Sequence, residues 1–180
     1  GKMTVRLHTG DPSLYGAIRE QMDRLDELGI KYDICPGVSS FCGAAAALRA
    51  EYTLPDVSQT VIITRMACRT PVPEKESIAA LAAHNATMVI FLSTGLLKEL
   101  SAELIRGGYK PDTPAAIVYK ASWADQKVCR CTVDDLAQTA SDNGITKTAL
   151  ICVGYFLGND YSLSKLYDKS FETEFRKAEI

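Results

Sequence analysis

The chain has 180 residues, 47% of them hydrophobic, enough to bury a core as one domain or two small ones without disulfide or metal staples. A formal net charge of -2 and a pI near 5.7 offer nothing to attract nucleic acid or an anionic membrane surface. With no signal peptide and no apolar run long enough to span a bilayer, a soluble, cytoplasmic protein is expected.

Residues 4–9 read as a strand that ends in the turn Thr9-Gly10-Asp11, and Pro12 sits where the first turn of a helix tolerates it. Such a turn leaves unpaired N–H groups at the C-terminal edge of a sheet, where open α/β folds place ligands. On local pattern alone Asp11 reads either as a helix cap or as part of a binding turn. Leu14, Ile18, Met22, Leu25 and Leu28 recur at helical spacing, so a helix is expected to bury that face on a sheet until Gly29 stops it. Ile30, Tyr32 and Ile34 alternate with Lys31 and Asp33 as a half-buried strand would, completing a βαβ unit with parallel strands.

Pro36-Gly37 breaks the pattern, and a domain boundary is placed there. Residues 1–36 are assigned to an N-terminal α/β domain, 37–157 to a second α/β domain and 158–180 to a tail. Ser39 or Ser40 can cap the next helix, whose run from Gly43 to Ala47 is small enough for close approach of another element, or of a ligand. Strands are expected over 60–64, 87–92, 115–120, 127–132 and 148–153, and helices over 74–84, 96–106 and up to Asp142. The strands 115–120 and 127–132 form an antiparallel hairpin in this reading, and Thr132 with Asp135 has the spacing of a capping box. Gly107-Gly108 and Asn143-Gly144 close the two helices before them. The second domain is therefore α/β with a mixed sheet; residues 162–167 read as a short helix, and 169–180 as a charged surface segment.

Six cysteines, Cys35, Cys42, Cys68, Cys129, Cys131 and Cys152, lack paired CxxC spacing and read as reduced core residues. Cys129 and Cys131 would face one side of a strand, but a single pair cannot close a four-ligand site, so no metal is expected. His8 reads as a strand residue rather than a base, and His84 as solvated at a helix end. Tyr15 serves a ligand or the apolar helix face equally well, and Trp123 lies on the hairpin turn.

Four stretches carry a resemblance. Residues 9–16, TGDPSLYG, followed by Glu20-Gln21 and by residues 36–41, PGVSSF, resemble the tetrapyrrole methylase family of S-adenosylmethionine-dependent methyltransferases. The segment 58–74, SQTVIITRMACRTPVPE, is similar to the branch that methylates precorrin-4 at ring carbon 11 in cobalamin biosynthesis. The resemblance implies a two-domain fold with a parallel-sheet first domain, an S-adenosylmethionine cofactor, a tetrapyrrole substrate and a homodimer. It also implies a further strand and a glycine-rich loop ahead of residue 1, so the first domain is expected to be truncated.

By the same resemblance the cofactor is bound through Thr9, Gly10, Asp11 and Leu14, through Ser39 and Ser40, and through Leu92, Ser93 and Ala121. All lie where strands give way to turns, as suits an in-line methyl transfer in which the protein supplies orientation and desolvation. Arg65 and Arg69 flank a proline-bearing loop, and their guanidinium groups suit the carboxylates that fringe a corrin precursor. Alternatives are another tetrapyrrole, a modified histidine of a translation factor, and a non-catalytic dimerising fragment. A nucleotide-binding module is disfavoured, because neither GxGxxG nor GxxxxGK[ST] occurs.

Overall fold

In a computed structural model, described for residues 2–165 and 168–177, five strands form one mixed sheet. They are β1 (Val61–Arg65), β2 (Thr87–Phe91), β3 (Pro114–Tyr119), β4 (Lys127–Thr132) and β5 (Ala149–Val153), in the order β1-β2-β5-β3-β4. β1 and β2 are parallel, and every other pairing is antiparallel. The hairpin expected from the sequence is β3–β4, paired from Pro114 with Thr132 to Tyr119 with Lys127. β5 lies between β2 and β3 and is buried along its whole length, which is why it reads as a continuous apolar run.

Period-two alternation splits the strand residues between two cores. Met88, Ile90, Ile117, Ile151 and Val153 face the helices α3 (Ile78–Ala82), α4 (Leu97–Gly107) and α5 (Leu136–Asp142), meeting Leu100, Leu104 and Leu136. Val89, Ala116, Val118, Leu150 and Cys152 face α2 (Ser40–Leu48), meeting Ala44, Leu48, Tyr52 and Phe156. In α4 the buried Leu97, Leu100 and Leu104 alternate with exposed Lys98, Glu99 and Arg106 at helical spacing. The small run in α2 serves close approach: a Cβ on Gly43 would stand 3.5 Å from the Ala121 Cβ.

Four expectations are corrected. Residues 4–9 and 30–34 form no strand; they find no ladder partner among the described residues, and Val5, Leu7, Ile30 and Ile34 stay exposed. The helix α1 (Arg19–Glu27) starts later than Leu14, because Tyr15 and Ala17 take left-handed backbone angles of 57° and 50°, and it buries no residue. The helix expected over 74–84 is a 3-10 turn (Glu74–Glu76) followed by α3, split at Ser77, whose extended backbone lets its hydroxyl accept from the Ala80 N–H at 3.3 Å. The capping box at Thr132 does not form: the Thr132 hydroxyl donates to the Asp135 carboxylate at 2.8 Å, and α5 begins one residue after Asp135.

Residues 161–164 carry no regular structure, and the rest of the short helix expected there includes Leu166 and Tyr167, outside the described residues. The described part of the charged segment lies mostly on the surface, with an isolated bridge between Thr173 and Arg176; residues 178–180 lie outside the description.

The cysteines are also corrected. All six are free thiols, but only Cys152 is buried; Cys35, Cys42 and Cys68 are exposed. Burial pushes the Cys152 thiol up to about 12 and the Cys131 thiol up to about 11. A raised thiol holds less nucleophilic thiolate. Titration with a chromogenic disulfide reagent at about pH 8 is therefore expected to modify Cys35, Cys42 and Cys68 first, and Cys152 only after unfolding.

Candidate functional site at the strand-end rim

The C-terminal ends of β1, β2 and β3 and the start of β5 come to one edge of the sheet. The chain leaves these strands through tight backbone: Leu92, Lys120, Ser122 and Thr148 all take left-handed angles, between 45° and 71°. The Lys120 N–H donates to the Thr148 carbonyl at 3.0 Å, and the Thr94 hydroxyl to the Ala149 carbonyl at 3.2 Å. Ser93 is fully buried; its hydroxyl donates to the Phe91 carbonyl at 2.7 Å and accepts from the Met66 N–H at 2.9 Å, joining the ends of β1 and β2. Leu92 beside it is 71% exposed, an apolar side chain offered at the rim.

The two turns that the sequence singles out pack against each other. One Asp11 carboxylate oxygen accepts from the Ser13 N–H at 2.8 Å and from the Ser13 hydroxyl, and the other from the Gly37 N–H at 2.9 Å. These bonds, the Ser13 hydroxyl first, hold the Asp11 carboxyl below the usual carboxylate range. Gly10 has a φ of 66°, and a Cβ there would meet Ser39 Cα at 3.5 Å and the Ser40 nitrogen at 3.6 Å. A Cβ on Gly37 would collide with the Gly10 carbonyl oxygen, so that position admits only glycine. Asp11 therefore fixes the first turn onto the residues that lead into α2, with buried Ser39 at its N-cap.

Tyr15 ties this pair of turns to the rim: its ring packs on Phe91 with centroids 5.3 Å apart. Burial pushes its hydroxyl up, and the positive charge of Arg65 opposes that shift. Ala121 reaches the same region through Gly43 of α2. Lys120 is paired with Asp125 at 2.5 Å, its ammonium 5.2 Å from the Trp123 ring centre.

Thr9, Gly10, Asp11, Leu14, Ser39 and Ser40 thus belong to one paired-turn unit, and Leu92, Ser93 and Ala121 to the rim beside it. Arg65 and Arg69 do not act alike. Arg65 turns its guanidinium into its own loop, donating to the carbonyls of Met66, Thr70 and Pro71, whereas Arg69 is exposed. The role of Gly37 as the partner of Asp11 was not read from the sequence; its signals were its place in the PGVSSF stretch and a glycine following Pro36 ahead of a helix cap. No group of histidine, cysteine or carboxylate side chains suited to a metal occurs among the described residues, and no described helix is long and apolar enough to cross a membrane.

A family model for the Tetrapyrrole (Corrin/Porphyrin) Methylases matches residues 1–137. The chain is 56% identical over 179 residues to the cobalt-precorrin-4 C(11)-methyltransferase of Methanocaldococcus jannaschii, covering 99% of this chain and 69% of that protein. It is 44% identical over 180 residues to the precorrin-4 C(11)-methyltransferase of Pseudomonas aeruginosa, covering 99% and 72%. Among solved structures, a cobalamin biosynthetic enzyme, cobalt precorrin-4 methyltransferase CbiF, superposes with a TM-score of 0.85 at 50% identity, over 87% of this chain and 66% of that one. Uroporphyrin-III C-methyl transferase from Thermus thermophilus, complexed with S-adenyl homocysteine, shares the fold at a TM-score of 0.65 and 20% identity, over 82% and 64%. The chain spans about two thirds of the length of these relatives. With two glycine turns locked together beside a strand-end rim, and with these relatives along nearly its whole length, the chain belongs to the tetrapyrrole methylase family.

Proposed function

We propose that the chain acts as an S-adenosylmethionine-dependent C-methyltransferase of cobalamin biosynthesis, methylating precorrin-4 or cobalt-precorrin-4 at ring carbon 11. The observation that carries this reading is the Asp11 clamp, which holds the turn at Gly10 against the one at Gly37 next to the rim. Identity of 56% to a cobalt-precorrin-4 enzyme over almost the whole chain supports the choice of substrate.

The residues present fit the cofactor by their chemistry. Backbone groups, the hydroxyls of Thr9 and Ser40, and the aliphatic Leu14 and Leu92 suit an adenosine joined to an amino acid, and no charged side chain is needed to hold it. When bound, the cofactor supplies an electrophilic methyl group on a sulfonium. The electron-rich macrocycle is itself the nucleophile, so the protein's share is to orient the two partners and exclude water. In this reading Thr9, Gly10, Leu14, Ser39, Ser40, Leu92, Ser93 and Ala121 line the cofactor. Ser93 does so through its backbone, since its hydroxyl is engaged with Phe91 and Met66. Asp11 shapes the site without touching the cofactor, and Arg69 meets substrate carboxylates.

The reading extends to a homodimer in the cytoplasm and to a division of the chain at Gly37. A second reading, methylation of another tetrapyrrole, is favoured by 32% identity over 180 residues to the uroporphyrinogen-III C-methyltransferase of Bacillus subtilis. Incubating the chain with methyl-labelled S-adenosylmethionine and either cobalt-precorrin-4 or uroporphyrinogen III separates the two. Label at C11 of the corrin precursor is expected. Label in uroporphyrinogen alone would favour the second reading, and cofactor binding without transfer would leave a non-catalytic dimerising fragment.

A further inference from the structure

We infer that Arg65 is a positioning residue that fixes the shape of the segment 66–73, and that this segment is a preformed wall for the carboxylate-fringed edge of the tetrapyrrole, with Arg69 as its outward cation. The inference rests on the methyltransferase reading above and revises the expectation that Arg65 itself grips substrate.

Arg65 is the last residue of β1, and its side chain is half-buried. One terminal guanidinium nitrogen donates to the Met66 carbonyl at 3.1 Å and the Thr70 carbonyl at 3.2 Å, and the other to the Pro71 carbonyl at 2.9 Å. Those bonds commit three of the five N–H donors of an arginine to neutral backbone. The segment needs such help, because Pro71 and Pro73 have no N–H to bond with and no regular structure spans residues 66–73. Its near end is held separately by the Met66 N–H on buried Ser93. Within it, the Cys68 N–H reaches the Thr70 carbonyl at 3.3 Å, closing a tight turn around Arg69 and leaving that side chain exposed.

Position points to the substrate rather than the cofactor. β1 is an edge strand of the sheet, so the loop beyond it borders the rim from outside, whereas the proposed cofactor residues sit at β2, at β3 and on the two turns. Tyr15 stands at the border, with its ring on Phe91 and its hydroxyl in the field of Arg65.

The chemistry of the arginine fork supplies the test. Lysine keeps the charge but is a single point that cannot span three carbonyls, so a charge clamp survives Arg65→Lys and a positioning fork does not. For Arg65→Lys we expect faster amide hydrogen exchange over 66–73, with exchange in β2 and β5 unchanged. We also expect a KM for cobalt-precorrin-4 raised about tenfold, with kcat and S-adenosylhomocysteine affinity within about twofold. Arg69→Ala removes the outward cation and leaves the Arg65 fork in place, so it is expected to raise the KM about tenfold with exchange over 66–73 unchanged. Unchanged exchange in Arg65→Lys, a wild-type KM in that variant, or a cofactor affinity that falls in step with the KM would each overturn the inference. A wild-type chain that methylates no tetrapyrrole would instead overturn the activity reading and the docking wall with it; the positioning of the loop by Arg65 would then be decided by exchange alone.

Discussion

Asp11→Ala is expected to weaken S-adenosylhomocysteine binding at least about a hundredfold in calorimetric titration, with the unfolding transition of the sheet little changed. The carboxylate takes the Ser13 hydroxyl, the Gly37 N–H and the Ser13 N–H at once, so removing it frees both turns together. The Gly37 bond spans 26 residues of sequence, and its loss lets the turn at Gly10 part from Ser39 and Ser40. The sheet core is built from other residues, so its stability does not depend on this bond. Asp11→Asn keeps one acceptor oxygen and should fall between the two. The pH dependence follows from the lowered carboxyl. Its ionised form contributes fully above the ordinary value of 3.8, and that contribution is lost only as pH falls through the lower folded value. Affinity should thus be flat with respect to this group from about pH 5 to 8 and decline only below about pH 4. Wild-type affinity in Asp11→Ala would show that the paired turns do not carry the cofactor.

Gly107→Ala should cost about 3 kcal/mol of unfolding free energy, read as a lower urea midpoint at unchanged slope. A Cβ there would collide with the Ala79 carbonyl oxygen and stand 2.5 Å from the Ala82 Cβ and 2.8 Å from the Ala79 Cα. These are backbone and Cβ atoms of α3, and no rotamer change moves them aside, so α4 must lift from the sheet face both helices share. Gly144→Ala is the matched control. A Cβ at that position meets nothing within 4 Å, and only the left-handed φ of 67° is strained, at about 1 kcal/mol. Equal losses in the two variants would mean that α4 slides freely over α3.

Local chemistry made much of this structure legible from the sequence. The β3–β4 hairpin was readable because a short turn follows the apolar run of β3 and leads into a second stretch of strand-forming residues, and α4 because its leucines keep helical spacing up to a glycine pair. Strands failed where alternation lacked a partner. Ile30, Tyr32 and Ile34 have the right pattern, but a ladder requires a neighbour that no local pattern reveals. Helix limits failed where a polar side chain chose another bond, as Ser77 did in splitting 74–84 and Thr132 in turning to the Asp135 carboxylate. The site divides the same way. Thr9-Gly10-Asp11 announces a turn, whereas the contact from Asp11 to Gly37 is tertiary and cannot be read along the chain. Arg65 looked like a substrate clamp because residue type shows charge and not what the charge faces.

The central place of β5 governs the order in which the molecule can assemble. On a ribosome the β1–β2 pair and the β3–β4 hairpin emerge first, and each presents an edge of unpaired N–H and C=O groups on a buried strand that β5 later pairs with. Joining them demands contacts far apart in sequence, such as Met88 with Val153, so closure of the sheet is a slow, late step. A nascent chain that stalls before Ala149 therefore exposes two half-sheets with open edges, each prone to pair with another chain, rather than a smaller folded unit.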